Sequence, residues 1–106
     1  MAHYLLAYIG GEHPTSPSEQ QKHFEKYTEW LTSLSESILV PTLPLKDTVT
    51  VNPDGTFTQG TTTAMSGYTI LDLASMDEAL DAAKSCPFLE IGGTLEVSEL
   101  MQMPTS

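Results

Sequence analysis

His23, Tyr27 and Trp30 follow one another at intervals of four and three residues, which on a helix places them along one face. A partly buried imidazole among aromatic rings keeps a pKa near neutrality and serves as a general acid or base. The plainer reading of His23 is a boundary histidine at the margin of an apolar stripe. Asp72 lies inside the apolar run Ile70-Leu71-Asp72-Leu73. Its carboxylate either points to solvent at a sheet edge or turns inward with a shifted pKa, where it is the natural partner of a histidine. His23 and Asp72 are therefore the candidate catalytic pair. Tyr8, Tyr27, Trp30 and Tyr68 are the candidate ligand-binding residues, the phenols offering hydroxyls to a carbonyl or carboxylate. As core or interface aromatics the same side chains need no ligand.

Other chemistries find no footing. His3, His13 and His23 lack the spacing of metal ligands on one helix, and a single cysteine draws no zinc set. The pairs Gly10-Gly11 and Gly92-Gly93 read as turn glycines, since neither belongs to a Gly-x-Gly-x-x-Gly loop, and there is no Gly-x-Ser-x-Gly elbow. Neither metal nor cofactor is expected. Cys86, beside Pro87 and Phe88, reads as a small buried thiol, with only Lys84 near it in sequence to lower its pKa. Four lysines, no arginine and fourteen acids give a net charge of −10. That charge repels nucleic acid and anionic membranes and leaves no guanidinium for bidentate phosphate contacts; it also simply keeps a surface soluble.

Those residues need elements to hold them. The chain's 106 residues suffice for one domain with a modest core. No secretory pattern and no long apolar run is present, so a cytoplasmic protein is the expectation. Residues 2–9 form an apolar, aromatic strand ended by Gly10-Gly11. Ser16-Pro17-Ser18-Glu19 is a helix start, with Ser16 as N-cap and Glu19 as capping-box partner. The helix is expected to run to about Ser37 with Phe24, Tyr27, Leu31 and Leu34 facing a sheet. Pro41 and Pro44 turn residues 38–44 into an extended or edge segment, and Asn52-Pro53-Asp54-Gly55 marks a hairpin turn between residues 48–51 and 56–58. A strand from Tyr68 to Ala74 leads into Ser75-x-x-Glu78, a second cap, and an alanine-rich helix with Met76, Ala79, Leu80 and Ala83 on one face. Residues 86–93 turn a corner into a last strand, 94–100, and the tail from Met101 is expected to fray.

The order β-α-β-β-α-β with an extra hairpin predicts an α+β, ferredoxin-like sandwich, a four-stranded antiparallel sheet with both helices on one face. The first strand is apolar on both sides: His3, Leu5, Ala7 and Ile9 one way, Tyr4, Leu6 and Tyr8 the other. Helices cover one face only, so the other is expected to be buried by a second copy. The result is a homodimer, a dimeric α+β barrel, whose enclosed space is the default small-molecule pocket.

Gly67-Tyr68-Thr69-Ile70, Ser75-x-Asp77-Glu78-Ala79, Cys86-Pro87 and Gly93-Thr94-Leu95-Glu96-Val97 resemble the second half of the YCII-related domain, also called the DGPF domain. Tyr8 closing the first strand and a helix carrying Trp30 are similar to its opening. The resemblance implies a dimeric α+β barrel. The family's signature Asp-Gly-Pro-Phe is missing, its place being taken by Gly60-Thr61-Thr62-Thr63-Ala64-Met65-Ser66. Some members resemble small lyases or dehydrochlorinases that move a proton with a His and Asp pair, the His on the first helix; His23 falls about one turn earlier. Two functions follow as expectations: a small-molecule-binding homodimer, or a cofactor-free enzyme of that type.

Overall fold

A computed structural model describes residues 2–12 and 14–101; His13 and the tail beyond Met101 lie outside them. Strand β1 (Ala2–Gly10) is followed by helix α1 (Pro17–Ser33), a 3-10 turn (Ser35–Ser37), β2 (Ile38–Pro44), β3 (Val49–Val51), β4 (Phe57–Gln59), β5 (Met65–Leu73), helix α2 (Met76–Lys84), a second 3-10 turn (Pro87–Ile91) and β6 (Gly93–Glu99). β2, β5, β1 and β6 form one sheet in that order, with every pairing antiparallel. This is the ferredoxin-like order. β3 and β4 form a separate two-stranded ribbon.

The helix starts obey the capping logic. Ser16 Oγ accepts the Glu19 N–H at 3.2 Å, and Ser75 Oγ accepts that of Glu78 at 3.3 Å while the Glu78 carboxylate takes the Ala74 N–H at 2.8 Å. Each satisfies donors that a helix leaves unpaired at its first turn. α1 stops at Ser33, short of Ser37, because the chain tightens into the 3-10 turn before entering the sheet.

Tyr4, Leu6 and Tyr8 of β1 join Leu71 and Leu73 of β5, Trp30 of α1 and Ala79, Ala82 and Ala83 of α2 in one buried core. Alanines let α2 lie close on the sheet. Three expected core positions are corrected. Phe24 is 69% exposed: the inward stripe of α1 runs His23, Tyr27, Trp30, Leu34, and Phe24 sits about 100° round the helix from His23. In α2, Met76 and Leu80 are exposed and Ala82 takes the inward place.

The other sheet face carries Leu5, Ile9, Tyr68 and Ile70, all half-buried, around a buried Ala7. No element of the described residues covers it. β2 is an irregular edge strand, its register broken twice, as its prolines require. Beyond it the β3–β4 ribbon stands clear of the sheet, with Val51 and Phe57 at 72% and 70% exposure. Among the described residues no helix is long and apolar enough to cross a membrane.

Candidate functional site

Four hydroxyls meet where β1, β5, β2 and α1 converge. Tyr8 Oη lies 2.5 Å from Thr69 Oγ1 and 3.2 Å from Thr42 Oγ1. Thr42 Oγ1 is 2.7 Å from Thr69 Oγ1 and 2.9 Å from Tyr27 Oη. Strand order explains the meeting: β5 lies between β1 and β2, so inward side chains on all three converge there. Gly67, the cross-strand neighbour of Tyr8, matters as much. A Cβ there would stand 2.8 Å from the Leu43 carbonyl oxygen, so only glycine lets β2 close in.

Aromatic rings wall the cluster. Phe88 meets Tyr8 edge-on at 5.1 Å, Tyr27 meets Trp30 edge-on at 5.4 Å, and His23 lies 6.1 Å from Tyr27. Beside them is a cavity of about 130 Å³ whose wall includes Tyr8, His23, Tyr27, Thr42, Ser66, Gly67 and Phe88. An apolar cavity of roughly 150 Å³ holds a benzene, so this one suits a single six-membered ring. Wider depressions of about 590 and 840 Å³ lie elsewhere, but exposed charges such as Lys26, Glu12 and Glu90 line them.

No carboxylate, lysine or arginine lines the site. Burial holds the Tyr27 phenol far above its ordinary value; a hydrogen bond from Thr42 offsets this and the neighbouring Tyr8 adds to it. Burial likewise raises Tyr8, against the opposing hydrogen bonds of Thr42 and Thr69. Burial also pushes the Cys86 thiol, adjoining the same core, up to about 11. At neutral pH all three carry their protons, so the hydroxyl cluster consists of neutral donors and acceptors.

Of the residues singled out from sequence, Tyr8, Tyr27 and His23 share this cavity. Trp30 does not line it. Its indole N–H donates to the Ala82 carbonyl at 2.9 Å, and the ring, 5% exposed, ties α1 to α2. Tyr68 and Asp72 are on the opposite sheet face, because each alternates with inward residues: Gly67 and Thr69 flank one, Leu71 and Leu73 the other. Asp72 stands across from His3 in the β1–β5 register, and its Oδ1 is buried without a hydrogen bond. His23 and Asp72 thus form no pair within the chain; the sheet separates them. Thr42, Thr69 and Phe88 escaped sequence reasoning. A threonine alternating with apolar residues in a strand was the one available sign for Thr69, and Thr42 gave none. Among the described residues no group of three or more His, Cys, Asp or Glu side chains could hold a metal.

The fold and site define an α+β protein of ferredoxin-like architecture with a small, uncharged, hydroxyl-lined cavity under one sheet edge. The chain belongs to the YCII-related domain family, whose sequence model matches residues 1–104. No curated protein matches it. Among solved structures it is similar to the 5-chloro-2-hydroxyhydroquinone dehydrochlorinase TftG of Burkholderia phenoliruptrix AC1100, in complex with 2,5-dihydroxybenzoquinone. The TM-score is 0.59 at 17% identity, with 95% of each chain covered. That likeness extends to the fold.

Proposed function

We propose that this protein is a cytoplasmic homodimer that binds a small, neutral, ring-shaped molecule in the cavity between Tyr8, His23 and Tyr27. One observation carries the reading: four hydroxyls, of Tyr8, Tyr27, Thr42 and Ser66, and one imidazole converge on a ring-sized cavity whose other walls are Pro44, Gly67 and the Phe88 ring, none of them charged. Such a mixture of apolar wall and a few convergent polar groups is the usual character of a ligand site. The buried, unpaired thiol of Cys86 suits a reducing compartment. The dimer rests on the uncovered face, where Leu5, Ile9, Tyr68 and Ile70 surround Ala7, more apolar surface than one sheet usually leaves to water. His3 and Asp72 mark a polar end of that surface.

Titration of the isotope-labelled protein with a panel of monocyclic aromatics, followed by amide and imidazole shifts, tests the site. Saturable shifts at His23, Gly67 and Phe88 are expected. Shifts confined to the uncovered face, or none, would refute it. Sedimentation tests the dimer: the wild type is expected at twice the chain mass and Ile70→Asp at the chain mass. A wild-type monomer at tens of micromolar would refute that part.

A second reading is favoured by the position of His23 in the cavity wall together with the fold shared with a dehydrochlorinase. Here the protein is a cofactor-free enzyme in which the imidazole takes a proton from the bound ring, as general bases do at hydrogen-bond reach. Asp72 serves the other face and does not orient His23. Chloride release from a chlorinated hydroxyhydroquinone, lost in His23→Ala, is the assay; release that survives the substitution would refute the role.

A further inference from the structure

The β3–β4 ribbon has two unlike faces. Its register pairs Thr50 with Thr58, Val51 with Phe57 and Val49 with Gln59, and paired residues share a face, so Thr50, Asn52, Thr56 and Thr58 lie on one side and Val49, Val51 and Phe57 on the other. Hydrogen bonds stitch the polar side. Asn52 Nδ2 donates to the Thr56 and Thr58 hydroxyls, both at 3.2 Å, and Thr50 Oγ1 donates to the Gly60 carbonyl at 2.8 Å. At the tip, Asp54 Oδ1 takes the Thr56 N–H at 2.9 Å and the Thr56 hydroxyl at 2.6 Å. The apolar side is bare, with Val49, Val51 and Phe57 all exposed. A lone two-stranded ribbon is marginal in water, and this one is braced by its polar side while its apolar side waits for cover.

We infer that the ribbon is an arm that lays Val49, Val51 and Phe57 on a second copy of the chain, so that each copy of the dimer clasps the other. The inference rests on the dimer reading and adds the surface that completes it. Continuity is the first support. Leu43, paired with Tyr68, and Leu45, two residues on, stand on the side of the chain away from the cavity that Thr42 and Pro44 line; both are exposed, and they carry the apolar surface from the uncovered sheet face to the foot of the ribbon. Area is the second. The half-buried side chains of that face leave on the order of 300 Å² to water, against about 800 Å² that each partner contributes to a stable interface. The arm and its approach add apolar surface where the sheet falls short. Charge is the third. Two copies at −10 each repel one another, and the exposed Glu96, paired with Ala7, stands on the β6 side of the uncovered face. On the β2 side Asp54 is the one charged residue from Thr48 to Leu71. Close approach of two acidic chains costs least there.

Sedimentation of the wild type and of the double variant Val51→Thr, Phe57→Thr tests the arm. Threonine keeps the strand propensity and replaces exposed side chains only, so the ribbon and the fold are retained. The Kd of the dimer is expected to rise about a hundredfold, since four apolar side chains, two from each copy, are withdrawn from the interface. In wild-type dimers mixed from labelled and unlabelled chains, isotope-filtered NOE spectra are expected to show the Phe57 ring against the partner copy.

A wild-type dimer whose Kd is unchanged by the double substitution, or whose Phe57 ring meets only its own chain, would overturn the arm and leave the sheet-face dimer standing. Dimers that persist in Ile70→Asp and dissociate in the ribbon variant would uphold the arm and remove the sheet face from the interface. A wild-type monomer at tens of micromolar would remove the dimer and this inference together.

Discussion

Replacing Thr69 with valine isolates the energy held in the hydroxyl cluster, because the side chain is fully buried and valine has nearly its shape. The substitution deletes two contacts, to Tyr8 at 2.5 Å and to Thr42 at 2.7 Å. At about 1 kcal/mol net for each neutral hydrogen bond, the loss is about 2 kcal/mol. Two further terms oppose each other. The added methyl contributes about 0.8 kcal/mol of burial, while Tyr8 and Thr42 each lose a partner in a buried site, at a cost of about 1 kcal/mol or more. A net destabilisation of about 2 kcal/mol is expected, equivalent to a fall in Tm of about 10 °C for a domain of this size. Urea titration monitored by circular dichroism measures it, with an unchanged m-value showing that the denatured state is the same. A loss below about 0.5 kcal/mol would refute the claim that these hydroxyls form a satisfied network. A double-mutant cycle with Tyr8→Phe sharpens the result: a shared network predicts coupling of about 1 kcal/mol, and strict additivity would contradict it.

Three other outcomes follow from the geometry. Trp30→Phe removes the indole donor to Ala82 while leaving that carbonyl bonded to Ser85, so the expected loss is about 2 kcal/mol from one hydrogen bond and reduced packing, read by the same denaturation; a loss under about 0.5 kcal/mol would show that Trp30 does not tie the helices together. Gly93→Ala places a Cβ 2.2 Å from the Phe88 ring, forcing that ring off Tyr8; a destabilisation of about 1–3 kcal/mol and loss of ring binding in the cavity are expected, and a variant with wild-type Tm would refute the contact. Burial raises Cys86 from 9.0 to about 11, so the folded chain holds a proton that the unfolded chain releases: the stabilisation is complete below pH 9, falls as pH rises through the window to about 11, and is flattened in Cys86→Ala, while modification of the folded protein by a disulfide reagent at pH 8 is slow. Rapid labelling under native conditions would contradict the burial.

The elements were legible because local signals agree with one another. Ser16-Pro17-Ser18-Glu19 and Ser75-x-x-Glu78 set both helix starts, the prolines of residues 38–44 set an edge strand, and Asn52-Pro53-Asp54-Gly55 set the ribbon turn; each acts within a few residues, which is the range of caps and turns. The order of strands and helices then determined the ferredoxin-like sheet. Alternation in β1 disclosed that both faces are apolar, and spacing along α1 brought His23, Tyr27 and Trp30 to one side.

The site was decided by tertiary structure. Whether Asp72 meets His23 depends on the parity of its place in β5, and parity is settled by which neighbours, Leu71 and Leu73, enter the core. Phe24 and His23 compete for one inward position on α1, and packing gave it to the histidine, which lines the cavity while Phe24 is left exposed. Thr42 and Thr69, 27 residues apart, share a hydrogen bond only because β2 pairs with β5 over a register broken by bulges. The prolines mark an edge strand that breaks register, but not the pairing that results. Composition and periodicity thus determined this protein's elements and their order, since those follow from short-range chemistry. The hydroxyl cluster arises from three strands and a helix meeting at one point, a long-range event that only packing resolves.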